Sequence, residues 1–234
     1  NRIVWRIIPE ASTRSAELIA GNVDIITNVA PDQLDAVNNS GTATVQAVQG
    51  TRRIYVGFNL SEPFAAMPGG DAIQDPAVRR ALQYAVDVPT ICAQLLNFPC
   101  ERATGIVNPP NDNPNIEPYP YDPAMAEQLL DEAGWPRLDD GNRFTIRFQA
   151  GRGRYLNDEN VVLAIAQYLR DVGINVELDI MEWASVYVPL IRERNVGPLF
   201  FLGSGGALWS PLYDMTDLAK VDSGTNYTHW DDPR

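Results

Sequence analysis

Apolar positions along this chain change spacing from segment to segment. Residues 3–8 (IVWRII) form a short apolar run that reads as a buried strand, ended by Pro9. Ser12 or Thr13 is placed to cap a helix running through Ala20, and Gly21 stops it. Residues 23–27 read as the next strand. Pro31 opens a second short helix, because its missing N–H costs nothing in a first turn. Residues 45–59 are β-like with a break at Gly50. The opening therefore predicts a β-α-β-α-β alternation, the pattern of an α/β sheet.

Helical spacing takes over at Val78, Ala81, Leu82, Ala85 and Val86, within a run from 77 to 97. Pro89 falls inside it and predicts two helices meeting near Asp87-Val88. Residues 108–121 hold five prolines and no periodicity, which predicts an extended surface loop. Asp122-Pro123 starts a helix with Met125, Leu129, Leu130 and Ala133 on one face and Gly134 as its stop. Residues 144–148 alternate as a strand. Asn157 or Asp158 caps a helix through Val172, with Gly173 after it. Residues 174–180 alternate again, as in a half-buried strand. A helix over 184–194 is interrupted or bent by Pro189. Residues 199–202 are a wholly apolar strand, and a Gly-rich loop follows. The stretch 144–202 thus reads as a compact α/β unit.

Composition narrows the partners. The chain has 234 residues, 45% of them hydrophobic, enough for a sizeable core, and a formal net charge of −12. That surface repels nucleic acid and anionic lipid, so no nucleic acid partner is expected. No run of apolar residues is long enough for a membrane-spanning helix. Asn1-Arg2 leads straight into a strand pattern without a signal peptide, which for a secreted protein implies a mature form or an excised fragment. Cys92 and Cys100 are the only cysteines. They are too far apart for a CxxC pair, and the single His cannot complete a zinc site. Two readings stay open: two buried thiols, or a disulfide closing a short loop at a helix end.

Five places in order resemble one family. They are Gly21-Asn22-Val23-Asp24-Ile25 after the first helix; Tyr55-Val56-Gly57-Phe58-Asn59 with Asp75-Pro76 and its helix; Tyr121-Asp122-Pro123 through Gly134-Trp135-Pro136; the helix, Gly173-Ile174 and strand step; and Glu182-Trp183-Ala184. Together they are similar to the extracellular solute-binding proteins of ABC importers, of the oligopeptide, dipeptide and nickel type (family 5). The resemblance implies a periplasmic-binding-protein-like α/β fold of the two-lobed type II class, here a truncated chain with a mixed sheet and flanking helices. It implies that residues 1–50 are the closing part of the first lobe and 51–234 the second, incomplete at its return. Residues 55–59 would then be the crossover between lobes, outside the site. It further implies a small polar solute (peptide, sugar or opine-like) held in an inter-lobe cleft, a membrane permease as partner, a monomer, and no cofactor. The expected location is extracytoplasmic, in the periplasm or lipid-anchored to the outer face of the cell membrane as a lipoprotein.

Three loops have pocket chemistry, a few oriented polar groups beside aromatic rings. Arg152, Gly153, Arg154 and Tyr155 lie between a strand and a helix. An Arg in this loop holds a ligand carboxylate in peptide-binding relatives, and Arg154 is the match. Glu182-Trp183 is similar to a Trp near the relatives' pocket. Gly203, Ser204, Gly205, Gly206 and Trp209 follow the most apolar strand. Here the chain departs from the family: Ala207 stands near an expected Asp, and Ser210-Pro211 where Asp-Pro is expected. A buried ammonium without a counter-charge is costly, so ordinary peptide recognition loses its usual acid. No metal site is implied.

Two other readings remain at this stage. One is a ligand-free interaction lobe, favoured if Arg154, Trp183 and Trp209 face apart. The other is a carboxylate-dependent hydrolase using Asp139-Asp140 or Asp231-Asp232. Sequence neighbours point apart, and no G-x-S-x-G, H-E-x-x-H or P-loop is present, so no enzyme activity is expected.

Overall fold

The apolar run at 199–202 takes an interior place in the sheet. That is why it lacks polar alternation, since a strand covered on both faces needs none. The computed structural model describes residues 2–48, 50–98, 100–108, 111–205 and 210–231. Four strands are found among them: β1 (Arg53–Phe58), β2 (Phe144–Arg152), β3 (Ile174–Glu182) and β4 (Leu199–Ser204), in the order β1-β4-β2-β3. β2 runs parallel to both β3 and β4, whereas β1 pairs antiparallel with β4. Arg53 lies opposite Ser204, and Phe148 opposite Leu199. The sheet is mixed and flanked by helices, the α/β architecture expected from the sequence.

The helices are α1 (Ala11–Ile19), α2 (Leu34–Asn38), α3 (Glu62–Ala65), α4 (Pro76–Ala85), α5 (Val88–Ile91), α6 (Pro123–Glu132), α7 (Asp158–Asp171), α8 (Val188–Arg192) and α9 (Pro211–Leu218). The Asp-Pro starts work as local chemistry dictates. The Asp75 carboxylate accepts from the Ala77 amide at 2.7 Å and that of Asp122 from Met125 at 2.9 Å, each followed by Pro in the first turn. The split at Pro89 is also found: α4 ends at Ala85 and α5 begins at Val88.

The core lies on both faces of the sheet. Val78 and Leu82 of α4, Leu130 of α6 and Val162 and Leu169 of α7 pack with Ile146, Phe148, Leu199 and Phe201. The opposite face gathers Tyr187, Ile191, Val196, Phe200 and Leu202. Alternate residues of β4 thus supply both clusters, as the period-2 geometry of a strand requires. Cys92 and Cys100 are bonded, with Cα atoms 5.6 Å apart. The disulfide reading therefore replaces that of two free thiols.

The first fifty residues depart from expectation. Residues 3–8 and 23–27 join no strand among the described residues, and 23–27 bends at Asp24 and Thr27. Ile3 is 92% exposed and Trp5 84%, so the reading of a buried strand is corrected. A strand exists only through a neighbour's ladder, and here these runs have none. The strand expected over 45–59 shortens to β1. Smaller corrections follow local hydrogen bonding. α1 begins after Glu10 rather than at a Ser12 or Thr13 cap, and neither Glu10 nor Asn157 caps its helix with its side chain. The helix expected over 184–194 opens as a π-type turn, Trp183–Tyr187, before α8.

Candidate functional site

All three parallel strands end on the same side, and the antiparallel β1 begins there. Four chain segments consequently meet at one sheet end: the loop after β2, the turn after β3, the end of β4 and the residues before β1. Open α/β sheets place ligands at the carboxyl ends of their strands. A cavity of about 350 Å³ lies at this end, lined among others by Arg52, Tyr55, Arg154, Tyr155, Trp183 and Asp217.

The loop after β2 is shaped by a buried acid. The Asp158 carboxylate accepts from the amides of Gly153 (3.2 Å), Arg154 (2.8 Å), Tyr155 (2.8 Å) and Glu159 (2.9 Å). This acid, expected as a helix cap, folds the loop instead and aims Arg154 and Tyr155. The Tyr155 ring meets Trp183 edge-on at 5.5 Å and Phe201 at 6.0 Å. Its hydroxyl accepts from the Gly203 amide at 2.8 Å, which links β4 to the loop. The Arg154 guanidinium lies 5.8 Å from the centroids of both the Tyr155 and Trp183 rings, and Arg52 lies 5.9 Å from that of Tyr155.

Two glycines permit this close packing. A Cβ on Gly151 would stand 2.6 Å from Tyr187 Cδ1 and 2.7 Å from Trp183 Cε3. One on Gly203 would stand 2.7 Å from Ile54 Cδ1 and 2.9 Å from Tyr155 Cε1. At the far wall the Asp217 carboxylate accepts from Ser204 Oγ at 2.9 Å and stands 2.6 Å from Thr225 Oγ1. Burial pushes the Tyr155, Tyr55 and Tyr227 hydroxyls up. At Tyr155 the Gly203 amide and the Arg52 and Arg154 charges pull partly the other way. These phenols stay neutral at ordinary pH and can still donate hydrogen bonds.

The expected residues divide. Arg154, Tyr155, Trp183, Gly203, Ser204 and Gly205 line the one cavity. Arg152 is exposed and does not line it. Glu182 is also elsewhere: its carboxylate accepts from the Ala184 and Ser185 amides and the Ser185 hydroxyl, capping the turn that carries Trp183. The Ser185 hydroxyl bond is the main cause holding that carboxyl below its usual range. Gly206 and Trp209 lie outside the described residues. Sequence reading missed Arg52, Tyr55 and Asp217, although Tyr55 sits in the stretch expected to lie outside the site. The signal for Arg52 was the strand before which it stands, but only the antiparallel placement of β1 brings that strand's start to this end.

A second, larger space of about 1950 Å³ separates segments of residues 18–50 from the sheet domain. It exceeds the size of ordinary solute sites, roughly 300–1,000 Å³; it shares Arg52 and Tyr55 with the smaller cavity, but Arg154, Tyr155 and Trp183 do not line it.

The fold and sequence have close parallels. A structure of the DppA periplasmic binding protein from Helicobacter pylori, in complex with peptide STSA, superposes with a TM-score of 0.76 at 20% identity, over 97% of this chain and 42% of that one. The oligopeptide-binding protein AppA of Bacillus subtilis is 24% identical over 239 residues, 96% of this chain and 42% of its own length. The heme-binding protein A of Haemophilus influenzae is 35% identical over 141 residues, 58% of this chain and 24% of its own. The chain thus spans less than half the length of the curated relatives it matches. The family model for the middle region of bacterial extracellular solute-binding proteins, family 5, matches residues 1–226, and the chain belongs to that family.

Proposed function

We propose that this chain is the solute-capturing part of the substrate-binding component of an ABC importer. It takes a small polar solute, whether peptide, sugar or opine-like, and performs no catalysis. The observation that carries this reading is the convergence of Arg154, Tyr155, Trp183 and Gly203 on one cavity at the strands' carboxyl ends. A ligand-free interaction lobe would have no reason to gather these groups. A two-carboxylate hydrolase finds little support, since Asp217 is the one carboxylate among the described residues lining the cavity.

On this reading residues 1–50 belong to the closing part of a first lobe and 51–234 to the second, with the solute enclosed between lobes. The exposed apolar side chains of Ile3, Trp5 and Ile7 suit a segment that pairs with further strands of a longer protein. The Cys92–Cys100 bond suits an oxidising, extracytoplasmic compartment, either the periplasm or the outer face of the cell membrane under a lipid anchor. The protein works as a monomer that delivers its solute to a membrane permease. Relatives named for oligopeptide, glutathione and heme binding make peptides and other carboxylate-bearing solutes the first to try.

The test is a thermal-shift panel of such solutes on the intact protein, with mass spectrometry of molecules carried through purification. A solute at a hundred times its Kd should stabilise the protein by about 2.7 kcal/mol. A broad panel with no stabilisation and no carried solute would sink the reading.

A further inference from the structure

The charge of the cavity opposes the charge of the chain. The whole sequence has a formal net charge of −12. Yet three guanidinium groups, those of Arg52, Arg154 and Arg192, line the cavity against the single carboxylate of Asp217 among the described residues. Asp217 is already occupied by the Ser204 and Thr225 hydroxyls. Ion pairs elsewhere use other bases: Arg6, Arg137, Arg143, Arg147 and Lys220. Among the described residues Arg52 and Arg154 form no ion pair, and both face the ring of Tyr155. Guanidinium groups beside apolar rings, with no carboxylate partner, form their strongest hydrogen bonds with an incoming carboxylate.

The two arginines come from different elements. Arg52 precedes β1, and Arg154 sits on the loop held by Asp158. Their guanidinium carbons lie 5.9 and 5.8 Å from the same ring centroid, hence within about 12 Å of each other. A short organic solute spans that separation. A zwitterionic solute with no further acid would instead bring its ammonium among three guanidinium groups, with the one available carboxylate already bonded. Like charges facing each other in a partly dry site are unfavourable.

We infer that the cavity selects a small organic solute bearing two carboxylates, one held by Arg154 and the other by Arg52, with Tyr155 and Trp183 packed on the carbon skeleton between them. The inference rests on the reading of this cavity as the solute site. Arg52 becomes a specificity-determining residue, and the aromatic pair contributes affinity without regard to charge.

The experiment is isothermal titration of the intact protein with Gly-Glu-Glu, Gly-Gln-Gln and Gly-Lys-Lys, which share a backbone and differ in side-chain charge. Gly-Glu-Glu is expected to bind at least about tenfold more tightly than Gly-Gln-Gln, and Gly-Lys-Lys more weakly than either. Arg52→Gln is expected to collapse the ratio between the first two. If that variant does not fold, as judged by circular dichroism, the ratio in the unaltered protein decides alone. Gly-Gln-Gln or Gly-Lys-Lys binding as tightly as Gly-Glu-Glu overturns the inference while leaving the cavity as a solute site. Absence of binding by all three peptides and by glutarate also overturns the inference, and the broad solute panel then decides separately whether the cavity is a solute site.

Discussion

Asp158 holds four backbone amides with one carboxylate, and Arg154 and Tyr155 are aimed by that grip. Replacing it with Ala leaves four part-buried amides without their acceptor, and a fully buried donor so orphaned would cost about 1–3 kcal/mol. D158A should therefore lower stability by roughly 2–3 kcal/mol and weaken solute binding more than tenfold. Chemical denaturation and titration check both, and a variant that loses stability but keeps full affinity would refute the aiming role. Gly151 offers a steric test. Its added Cβ would fall within 2.7 Å of Trp183 and Tyr187, so G151A should cost about 1–3 kcal/mol through overpacking. His229 sets a pH response. Burial, then the neighbouring Arg194 charge, lowers its pKa from the ordinary 6.5, and its Nε2 finds no hydrogen-bond partner among the described residues. Above pH 6.5 both folded and unfolded states hold it neutral, so stability is at its full value there. As pH falls through that value the unfolded state takes up the proton first, so stability declines toward the lowered folded pKa. Denaturation midpoints measured from pH 7.5 to about 5 should show that decline, and His229→Gln should flatten it. An unchanged slope in the variant would place the titration elsewhere.

Elements were legible in the sequence where their cause is local. Asp75-Pro76 and Asp122-Pro123 start helices because an Asp side chain reaches an amide two or three residues on. The break at Pro89 follows from one missing N–H. The strand misread at 3–8 and the unnoticed Arg52 share the opposite cause. Whether an apolar run becomes a strand, and which strand starts meet which strand ends, depends on pairing between residues far apart in sequence. The family resemblance supplied the loops of Arg154, Trp183 and Gly203. It could not supply the charge balance of the cavity, which is set by sheet order. The disulfide is a local matter again: it ties the turn Cys92–Leu96 to the loop at Cys100 across a separation of eight residues. In the chain-entropy model a loop this short is worth about 2–3 kcal/mol. Reduction, or a Cys92→Ser/Cys100→Ser double variant, should lower the denaturation free energy by that amount. An unchanged midpoint would mean that the bridge constrains little in the unfolded chain.

The molecule as a whole is unevenly secured. Both buried clusters are built from residues beyond β1's start, and none of their members comes from the first fifty residues. That opening segment keeps its apolar side chains at Ile3, Trp5, Ile7, Ile25 and Val48 in solvent and faces the sheet domain across the larger cavity. Local stability follows buried apolar contact and protected backbone hydrogen bonds, and it spans the range from nearly zero to the global value. In the 234-residue chain, amides at 3–8 and 23–27 should therefore exchange with deuterium close to the rate of an unfolded peptide. Those of β2 and β4, paired on both sides within the sheet, should exchange only through global unfolding. Comparable protection at 3–8 and in β2 would mean that the opening segment finds a partner within this chain. Slow exchange at 3–8 appearing only in a longer protein would fit a strand completed by another lobe, with the exposed Ile3, Trp5 and Ile7 covered there.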